Sequence, residues 1–558
     1  MNGAQYILNF LKEKGVKISF GYPGGAVLTL YDEMAKMNFP HILTRHEQGA
    51  IHAAERYAKV SGEVGVVFAT SGPGATNLVT GLANAYLDST PIIAITGQVN
   101  STTIGRDSFQ EADVTGITTP ITKHNFLVKD INFLPSALHN AWRIATEGRK
   151  GPVLLDVTKD VFAAEISSPV VKMDEKAKRY DDLHKIVPQI VKELKKAKRP
   201  HILVGGGVNS NECRELLEKI LKRLNLCVST TMMAKGVIDE NEEYALGITG
   251  MHGKVAANLS MVHCDLLLAI GTRFSDRVVG NGDLYSEKHK VIHVDIDAAE
   301  INKNVPAYIG VCARAEEFLK ALLIVLEKED VKNLWDDWKS KVLSWKELEK
   351  DDVKISGLLP QDVIKAVNKY AGDRAVVVTD VGQNQMFCAQ HYKMRYPNRF
   401  VTSGGLGTMG FGLPAAVGSA VSNPDNNTVL FVGDGGVQMT IQELATVKKV
   451  NLPIKIFILD NRCLGMVRQW QELFYNKNYS HTILDDNPDF IKIAEAYGIK
   501  SAVLDEKSDL EQEVKRICEE KEPVLVHCRL YREENVYPMI PPGKNPEDMF
   551  GRNNRKFE

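Results

Sequence analysis

Short apolar runs alternate with longer amphipathic stretches along most of the chain. The first 160 residues contain five such runs, KISFGYPGG, HILTRHE, VGVVFATSGPG, PIIAITG and PVLLDV. Such mainly apolar, strand-like runs are typical of strands in parallel sheets. Their alternation with helical patterns predicts a parallel α/β unit over residues 1–165.

Two further α/β units are predicted behind the first. A polar stretch at 166–185 precedes the runs HILVGGG, DLLLAIGTRF and KVIHVDID, which we assign to a central unit over 186–345. A segment at 328–352, rich in Trp and Lys, has the pattern of a linker or a peripheral helix. The runs AVVVTDVG, NTVLFVGDGG, IKIFILDN and PVLVHCRL predict a third unit over 360–535, and a Pro-rich tail occupies 536–558.

Composition indicates a globular protein that binds small molecules. Apolar residues make up 44% of the 558 and charged residues 25%, close to the averages for globular proteins. The 68 Lys and Arg nearly balance the 70 Asp and Glu, so no nucleic-acid or anionic-membrane surface is indicated. Scattered cysteines without a CxxC pair argue against disulfides and zinc. With no apolar stretch of about 18 to 20 residues and no signal peptide, a cytoplasmic location is expected.

The strongest local signal is an acidic residue at the end of an apolar strand. In VGDGG at 432–436, Asp434 is flanked by glycines, and Asn461 ends the next apolar strand. The carboxyl ends of neighbouring parallel strands share one edge, where these two oxygen ligands can meet. Mg²⁺ prefers such ligands together with phosphate oxygens, and Gly435 and Gly436 let backbone N–H groups approach a phosphate. A turn in which Asp434 caps the next helix is the alternative that these residues leave open.

Motifs along the whole chain resemble those of one enzyme family. They are FGYPGGA at 20–26, RHEQGA at 45–50, TSGPGATN at 70–77, SFQEADV at 108–114, GMHG at 250–253, GGLGTMGFGLPAA at 404–416, LGMVRQW at 464–470 and VYPMIPPG at 536–543. In this order they are similar to the catalytic subunits of the acetolactate (acetohydroxyacid) synthases, which are thiamine diphosphate enzymes. The resemblance implies three parallel-sheet α/β domains of the thiamine diphosphate-dependent decarboxylase/carboligase type.

The same resemblance implies an activity in branched-chain amino-acid biosynthesis. Pyruvate would lose CO₂, and its hydroxyethyl unit would join a second 2-oxo acid, either pyruvate or 2-oxobutyrate. The alternatives are an FAD-dependent pyruvate oxidase, another thiamine diphosphate-dependent 2-oxo acid decarboxylase, and a non-catalytic nucleotide-binding or regulatory protein. The joint presence of Glu47, Asp434 and Asn461 argues against the last, and Arg277, Trp470 and the VYPMIPPG tail favour the synthase.

The resemblance also assigns residues around thiamine diphosphate and Mg²⁺. Glu47 would hydrogen-bond the aminopyrimidine and so assist removal of the thiazolium C2 proton, and Met409 would support the bent cofactor. Asp434, Asn461 and the main-chain carbonyl of Cys463 would hold Mg²⁺. The other cofactor contacts would come from Gln383, Asn384, Gly407, Gly435 and Gly436. Two positions depart from the family, with Asn384 where His is usual and Asp460 where Asn is usual.

The central unit would bind a structural FAD. The Gly-rich turn at 205–207 alone leaves a plain βα turn and a nucleotide site equally open. The resemblance favours FAD, with contacts from Arg149, Gly205, Gly206, Gly207, Thr249, Met251, His252, Gly271, Arg273, Asp295 and Asp297.

Four more residues match substrate positions of the family. Gln110 and Lys159 correspond to the active site and the substrate entry, a solvated charge being the alternative for Lys159. Arg277 would bind the acceptor's carboxylate and Trp470 its alkyl group. A surface ion pair with Asp276 and a core or interface role are their respective alternatives. The family's active sites lie between two chains, which implies a homodimer or homotetramer, with a small regulatory subunit as a further possible partner.

Overall fold

The structure, a computed structural model, describes residues 1–166, 171, 180–280, 287, 289–349 and 355–557. In these ranges the chain forms three units, each built on a six-stranded sheet whose strands are all parallel. The predicted fold class is therefore confirmed, while the predicted domain boundaries stay a prediction.

The first sheet has the strand order β2-β1-β3-β4-β6-β5. Its strands are β1 Ser19–Gly21, β2 His41–Leu43, β3 Gly65–Ala69, β4 Ile92–Gln98, β5 His124–Val128 and β6 Val153–Thr158. Its α-helices are Gly3–Glu13, Leu28–Lys36, Glu47–Ser61, Pro73–Thr76, Val79–Leu87, Val114–Thr118, Leu134–Thr146 and Lys159–Ala163. Successive strand residues point to opposite faces, so Phe68 and Ile95 enter one buried cluster and Val67 and Ala94 the other.

The central sheet has the order β12-β11-β10-β7-β8-β9. Its strands are β7 Pro200–Val204, β8 Val228–Thr230, β9 Ala245–Ile248, β10 Leu266–Ile270, β11 Lys290–Asp295 and β12 Ile309–Cys312. The described helices of this unit are Leu183–Lys196, Asn211–Leu224, Val255–His263, Asp276–Val279, Ala315–Leu326 and Asp336–Ser344.

The Trp-rich segment is part of this central unit. Trp335, Trp338 and Trp345 are each less than 9% exposed and belong to its hydrophobic core. The indole nitrogens of Trp335 and Trp338 donate to the carbonyls of Ala197 and Pro200, each at 2.9 Å. The helical interpretation of the segment holds, but its described part is packed into the core and is not a linker.

The third sheet has the order β14-β13-β15-β16-β18-β17. Its strands are β13 Val376–Thr379, β14 Phe400–Val401, β15 Thr428–Gly433, β16 Ile454–Asp460, β17 Lys500–Leu504 and β18 Val524–Arg529. Its helices are Pro360–Tyr370, Gln383–His391, Gly412–Ser422, Asp434–Gln438, Leu444–Val450, Gly465–Phe474, Phe490–Ala496 and Leu510–Glu519.

The first and third units of one chain share a close helix crossing. Helix Glu47–Ser61 lies against helix Gly412–Ser422, and a Cβ at Gly418 would stand 1.9 Å from the carbonyl oxygen of Ala53. Only glycine permits this approach, so the crossing depends on Gly418. In the part of the chain that the structure describes, no helix has the length and apolar character needed to cross a bilayer.

Candidate functional site

A small cavity of about 70 Å³ opens where β13, β15 and β16 end. Parallel strands bring their following loops to one edge of the sheet, so residues far apart in sequence meet here. Eight of the predicted residues line the cavity, namely Gln383, Asn384, Met409, Asp434, Gly435, Gly436, Asn461 and Cys463. Gly407 lies two residues before Met409 on the same loop, with a φ of 72° that favours glycine.

Asp434 is the most buried acid of this cavity, at 1% exposure. The side-chain nitrogen of Asn487 donates to Oδ2 of Asp434 at 2.7 Å and to Oδ1 of Asp460 at 3.2 Å. Burial, and then the charge of Asp460, raise the pKa of Asp434 to about 7. Two crowded carboxylates at the end of parallel strands make a site that a cation would stabilise.

Asn461 presents an oxygen to this cavity. Its side-chain nitrogen donates to Oε1 of Gln383 at 3.0 Å, which leaves Oδ1 as the atom available to a ligand. Gln383 in turn donates to Oε1 of Gln469 at 2.8 Å. A Cβ at Gly435 would lie 2.7 Å from Leu464, and one at Gly436 would lie 2.8 Å from Asp380. The oxygen ligands and the bare backbone therefore fit Mg²⁺ bound to a diphosphate.

The side-chain amide of Asn384 is oriented differently from what the predicted cofactor contact requires. Its side-chain nitrogen donates to the carbonyls of Asp380 at 2.9 Å and Phe431 at 3.0 Å. Both donors of the amide therefore point into the domain, and the predicted donation to a diphosphate is not available in this arrangement.

Glu47 lies at the carboxyl edge of the first sheet, as the first residue of its helix. Its Oε2 accepts from the side-chain nitrogen of Asn77 at 2.9 Å. Gln110 lies in a loop with a φ of 62°, beside Phe109, a residue that is 87% exposed. Lys159 follows β6 and is exposed, which is what its alternative as a solvated charge predicts.

Predicted flavin residues gather at the carboxyl edge of the central sheet. The N–H of Gly207 donates to the carbonyl of Gly271 at 3.0 Å, and Gly205 and Gly206 belong to the same turn. Thr249 donates to Oδ1 of Asn258 at 3.0 Å and begins the turn that carries Met251 and His252. Together they form a backbone cradle that a dinucleotide could approach.

Among the buried polar atoms at this edge that lack a hydrogen-bond partner in the described residues, two adjoin each other. They are Nδ1 of His252 and Oε1 of Gln390, which adjoin because Nε2 of Gln390 donates to the carbonyl of His252 at 3.0 Å. Burial, and then the charge of Arg277, lower the pKa of His252 to about 4, so it is neutral at pH 7. Buried polar atoms are normally paired, so these two fit a bound polar ligand.

Acidic and basic residues meet beside the flavin cradle. Arg149, from the first unit, lies 2.6 Å from Oε1 of Glu300 and 3.8 Å from Oδ2 of Asp297. Burial raises the pKa of Asp295 to about 6, and burial, then Arg149, lower the pKa of Arg273. The structure thus brings the predicted Arg149 to the central sheet across a domain boundary.

Arg277 and Trp470 also come together from two units. The guanidinium carbon of Arg277 lies 5.8 Å from the centre of the Trp470 ring. The Arg277 side chain is 58% exposed, and it also lies 3.6 Å from Asp276, the ion pair that was its alternative. Its Nη1 contacts the sulfur of Met251 at 3.0 Å. The predicted acceptor pair therefore exists as a contact beside a predicted flavin residue.

Three thiamine pyrophosphate enzyme families match the three units. The N-terminal TPP binding domain matches residues 1–117, the central domain 187–322 and the C-terminal TPP binding domain 380–528. The acetolactate synthase large subunit of Lactococcus lactis is 42% identical to this chain, over 99% of the chain and 96% of that protein. The chain belongs to the acetolactate synthase large-subunit family.

Other relatives agree with this membership. The acetolactate synthase isozyme 2 large subunit of Escherichia coli is 42% identical over 99% of both chains. A probable acetolactate synthase large subunit of Methanocaldococcus jannaschii is 44% identical over 97% of this chain and 94% of its own. The prediction of thiamine diphosphate as cofactor is thereby confirmed, and Mg²⁺ and FAD fit the acetolactate synthase family.

Asp460, which stands where the family usually has Asn, accepts hydrogen bonds in this structure. Oδ2 of Asp460 accepts from Nε2 of His527, on the neighbouring strand β18, at 2.7 Å. Its Oδ1 accepts from the N–H of Arg462 at 2.9 Å and from Asn487. The extra charge that Asp460 introduces beside Asp434 is thus held by hydrogen bonds from three residues.

Several residues of this acetolactate synthase site were not predicted from the sequence. Asn77 holds Glu47, Asn487 holds Asp434, and Gln390 adjoins His252. Asn77 lay within the quoted TSGPGATN motif, so a search for polar partners of Glu47 could have found it. Asn487 and Gln390 lie in no quoted motif and gave no such signal.

Proposed function

We propose that the protein is an acetolactate synthase. It removes CO₂ from one pyruvate and joins the remaining two-carbon unit to the ketone carbon of a second 2-oxo acid, pyruvate or 2-oxobutyrate, in branched-chain amino-acid biosynthesis. The observation that carries the proposal is the gathering of eight predicted cofactor and metal residues at one cavity. The names of relatives that are 42 to 44% identical over nearly the whole chain support it.

In this proposal the third domain holds the metal and the diphosphate. Asp434, Oδ1 of Asn461 and the main-chain carbonyl of Cys463 would hold Mg²⁺, whose charge would offset the crowding of Asp434 and Asp460. Backbone N–H groups of Gly435 and Gly436 would face the phosphates. Thiamine diphosphate, when bound, supplies the electron sink for the electron pair that remains after CO₂ leaves.

Glu47 would exchange a proton with the aminopyrimidine while Asn77 holds its carboxylate in place. The residues described as lining the cavity all lie between 381 and 467, so none comes from the first domain that carries Glu47. A second copy of the chain would supply Glu47 and Gln110 to each cavity, and the exposed Phe109 beside Gln110 fits a surface that a partner covers. We therefore infer at least a homodimer. Native mass spectrometry would measure whether dimers pair into tetramers or bind a small regulatory subunit.

The acceptor would bind between the central and third domains. Arg277 offers a planar fork of donors that suits a carboxylate, and Trp470 offers an apolar face to a methyl or ethyl group. Their contact at 5.8 Å supports a shared subsite. The FAD would lie against Gly205, Gly207 and Gly271, with Nδ1 of His252 as a polar partner. Six cysteines are free thiols, namely Cys213, Cys227, Cys388, Cys463, Cys518 and Cys528, which fits the cytoplasm that we propose as the location.

The deciding experiment is an incubation with pyruvate, thiamine diphosphate, Mg²⁺ and FAD without oxygen. We expect 2-acetolactate as the main product and an FAD that stays oxidised. Acetate together with reduced flavin would instead indicate a pyruvate oxidase, and acetaldehyde alone a simple decarboxylase. Adding 2-oxobutyrate should yield 2-aceto-2-hydroxybutyrate in competition with 2-acetolactate.

A further inference from the structure

The loop that carries Met409, residues 403–412, is attached to the first domain of its own chain. Asp88 follows helix Val79–Leu87 and is 6% exposed. Its Oδ1 accepts from the N–H of Gly405 at 2.8 Å, and its Oδ2 from the N–H of Gly404 at 3.2 Å. One buried carboxylate therefore binds two successive backbone donors on the upstream side of Met409.

A second group reinforces the upstream attachment. The side-chain oxygen of Asn84, which is fully buried, accepts from the hydroxyls of Ser403 and Thr408. The hydroxyl of Ser403 also accepts from the N–H of Thr408 at 2.9 Å. The part of the loop from Ser403 to Thr408 is thus held at both of its ends around the exposed Leu406. Thr408 is the residue directly before Met409.

Arg56 links the upstream and downstream sides of Met409. It is fully buried, and its Nη2 donates to Oδ2 of Asp88 at 2.7 Å and lies 2.9 Å from Oε1 of Glu55 in an ion pair. Its guanidinium also lies over the ring of Phe411 at 4.5 Å, two residues after Met409. A single side chain of the first domain therefore contacts the upstream anchor and a residue on the far side of the loop.

The third domain anchors the downstream side itself. Asp380, which follows β13, accepts from the N–H of Gly410 at 3.1 Å and from that of Gly412 at 2.7 Å. Met409 therefore lies between two buried carboxylates, Asp88 of the first domain and Asp380 of the third. The backbone on either side of Met409 has little freedom while both anchors are in place.

Stability alone is a weak reason for such a buried charged cluster. Replacing a buried ion pair by apolar side chains is often neutral or stabilising, because the ions must be desolvated. A hydrogen-bonded cluster does, however, fix the direction of the groups it binds, which apolar packing does less strictly. Positioning the 403–412 loop is therefore the role that this geometry suits.

We propose that Arg56 and Asp88 are positioning residues that fix Met409 from the first domain of the same chain, and so keep the bound cofactor in its reactive, bent form. The inference rests on the proposed function, because it assigns Met409 to cofactor support. Neither residue would touch substrate or cofactor. Loosening the pair should leave the metal ligands intact but let the 403–412 loop open.

The test compares Asp88→Asn and Arg56→Met with the parent enzyme. The first readout, amide hydrogen exchange of the 403–412 segment by mass spectrometry in cofactor-free protein, should become roughly tenfold faster or more. The second, exchange of the thiazolium C2 proton on bound thiamine diphosphate followed by NMR in D₂O, should slow by roughly tenfold to a hundredfold, as for a misplaced reacting group.

Lys455→Met is the matched control. Lys455, like Arg56, is a fully buried basic residue, but it lies in the third domain. It donates to the carbonyls of Glu520 and Glu522, away from the cavity lining. Its loss should lower thermal stability without changing either exchange rate. Slower C2 exchange in the control to the same extent would overturn the proposal, because general destabilisation would then explain the effect.

The outcomes separate this proposal from the proposed function. If the parent makes acetolactate but both variants keep the parental amide and C2 exchange rates, the anchor is refuted and the function stands. If the parent shows no C2 exchange, the function fails, and unchanged amide exchange in the variants would refute the anchor separately. Should Arg56→Met not fold, Ser403→Ala removes one neutral contact of the same loop, and parental exchange rates in it and in Asp88→Asn would refute the anchor.

Discussion

Removing the Asn77 side chain should slow the first chemical step without removing the cofactor. Asn77 donates to Oε2 of Glu47 at 2.9 Å, and both side chains are partly exposed. A hydrogen bond to a charged group contributes about 1.5–3 kcal/mol, which partial solvent exposure reduces to about 1–2 kcal/mol. If that energy holds Glu47 in its productive position, Asn77→Ala should lower the C2 exchange rate by roughly 5- to 30-fold.

The assay for Asn77→Ala is C2 proton exchange on bound thiamine diphosphate, with cofactor affinity measured separately by calorimetry. Glu47→Gln sets the scale, since an amide cannot exchange the proton and should show the larger loss. Asn132→Ala is the control, because Asn132 makes the same type of contact, 3.0 Å to Asp130, on an exposed part of the first domain. A parental rate in Asn77→Ala beside a slow Glu47→Gln would refute the assignment of Asn77.

Three further predictions concern the metal, the acceptor and acid stability. Asp434→Ala should abolish cofactor binding in calorimetry, since the anionic ligand of Mg²⁺ is lost; undiminished binding would contradict the metal assignment. Trp470→Leu should change the ratio of the two acceptor products by roughly tenfold, and Arg277→Lys should release acetaldehyde because the fork of donors is lost. Parental ratios without acetaldehyde would remove the pair from the acceptor site. Burial lowers the pKa of His201 from 6.5 to about 3, so the unfolded chain binds a proton there that the folded chain does not, and stability falls as pH drops from 6.5 toward 3. Between pH 7 and 5 the free energy of unfolding of His201→Gln should therefore fall by about 2 kcal/mol less than that of the parent, as measured by urea titrations. An equal decrease in both proteins would contradict the lowered pKa of His201.

Most strands that the sequence revealed lie inside their sheets, although the run HILTRHE also revealed β2, which lies at an edge. β10 appears as an unbroken apolar run, and β16 as an apolar run interrupted by Lys455, because other strands and both layers of helices cover them. β5 and β17 were missed, since each lies at a sheet edge and only its last residue is fully buried. β14, also at an edge, has only two residues and leaves almost no pattern. β8 was missed although it is internal and fully buried, because two of its three residues are polar. A long apolar run is the signal in the sequence, and short or edge strands lack it.

The sequence likewise predicts only part of the candidate site. Asp434 and Asn461 could be predicted because each follows an apolar strand, and parallel strands share an edge. The resemblance indicated Arg277 and Trp470, but their contact arises where two domains meet, which no local pattern encodes. The direction of the Asn384 amide depends on the carbonyls of Asp380 and Phe431, and these neighbours appear only in the folded chain.

Because its tryptophans are unevenly distributed, the intrinsic fluorescence of this protein reports mainly on one domain. Of its five tryptophans, Trp335, Trp338 and Trp345 are packed in the central core, and Trp338 and Trp345 contact edge to face at 5.6 Å. Intrinsic fluorescence in a melting experiment would therefore follow mainly the central domain and could miss early loosening of the other two. Trp470 lies apart from that cluster. A variant with the three core tryptophans replaced by phenylalanine would therefore emit chiefly from Trp470 and Trp142. Its fluorescence would report the binding of a ligand near Arg277.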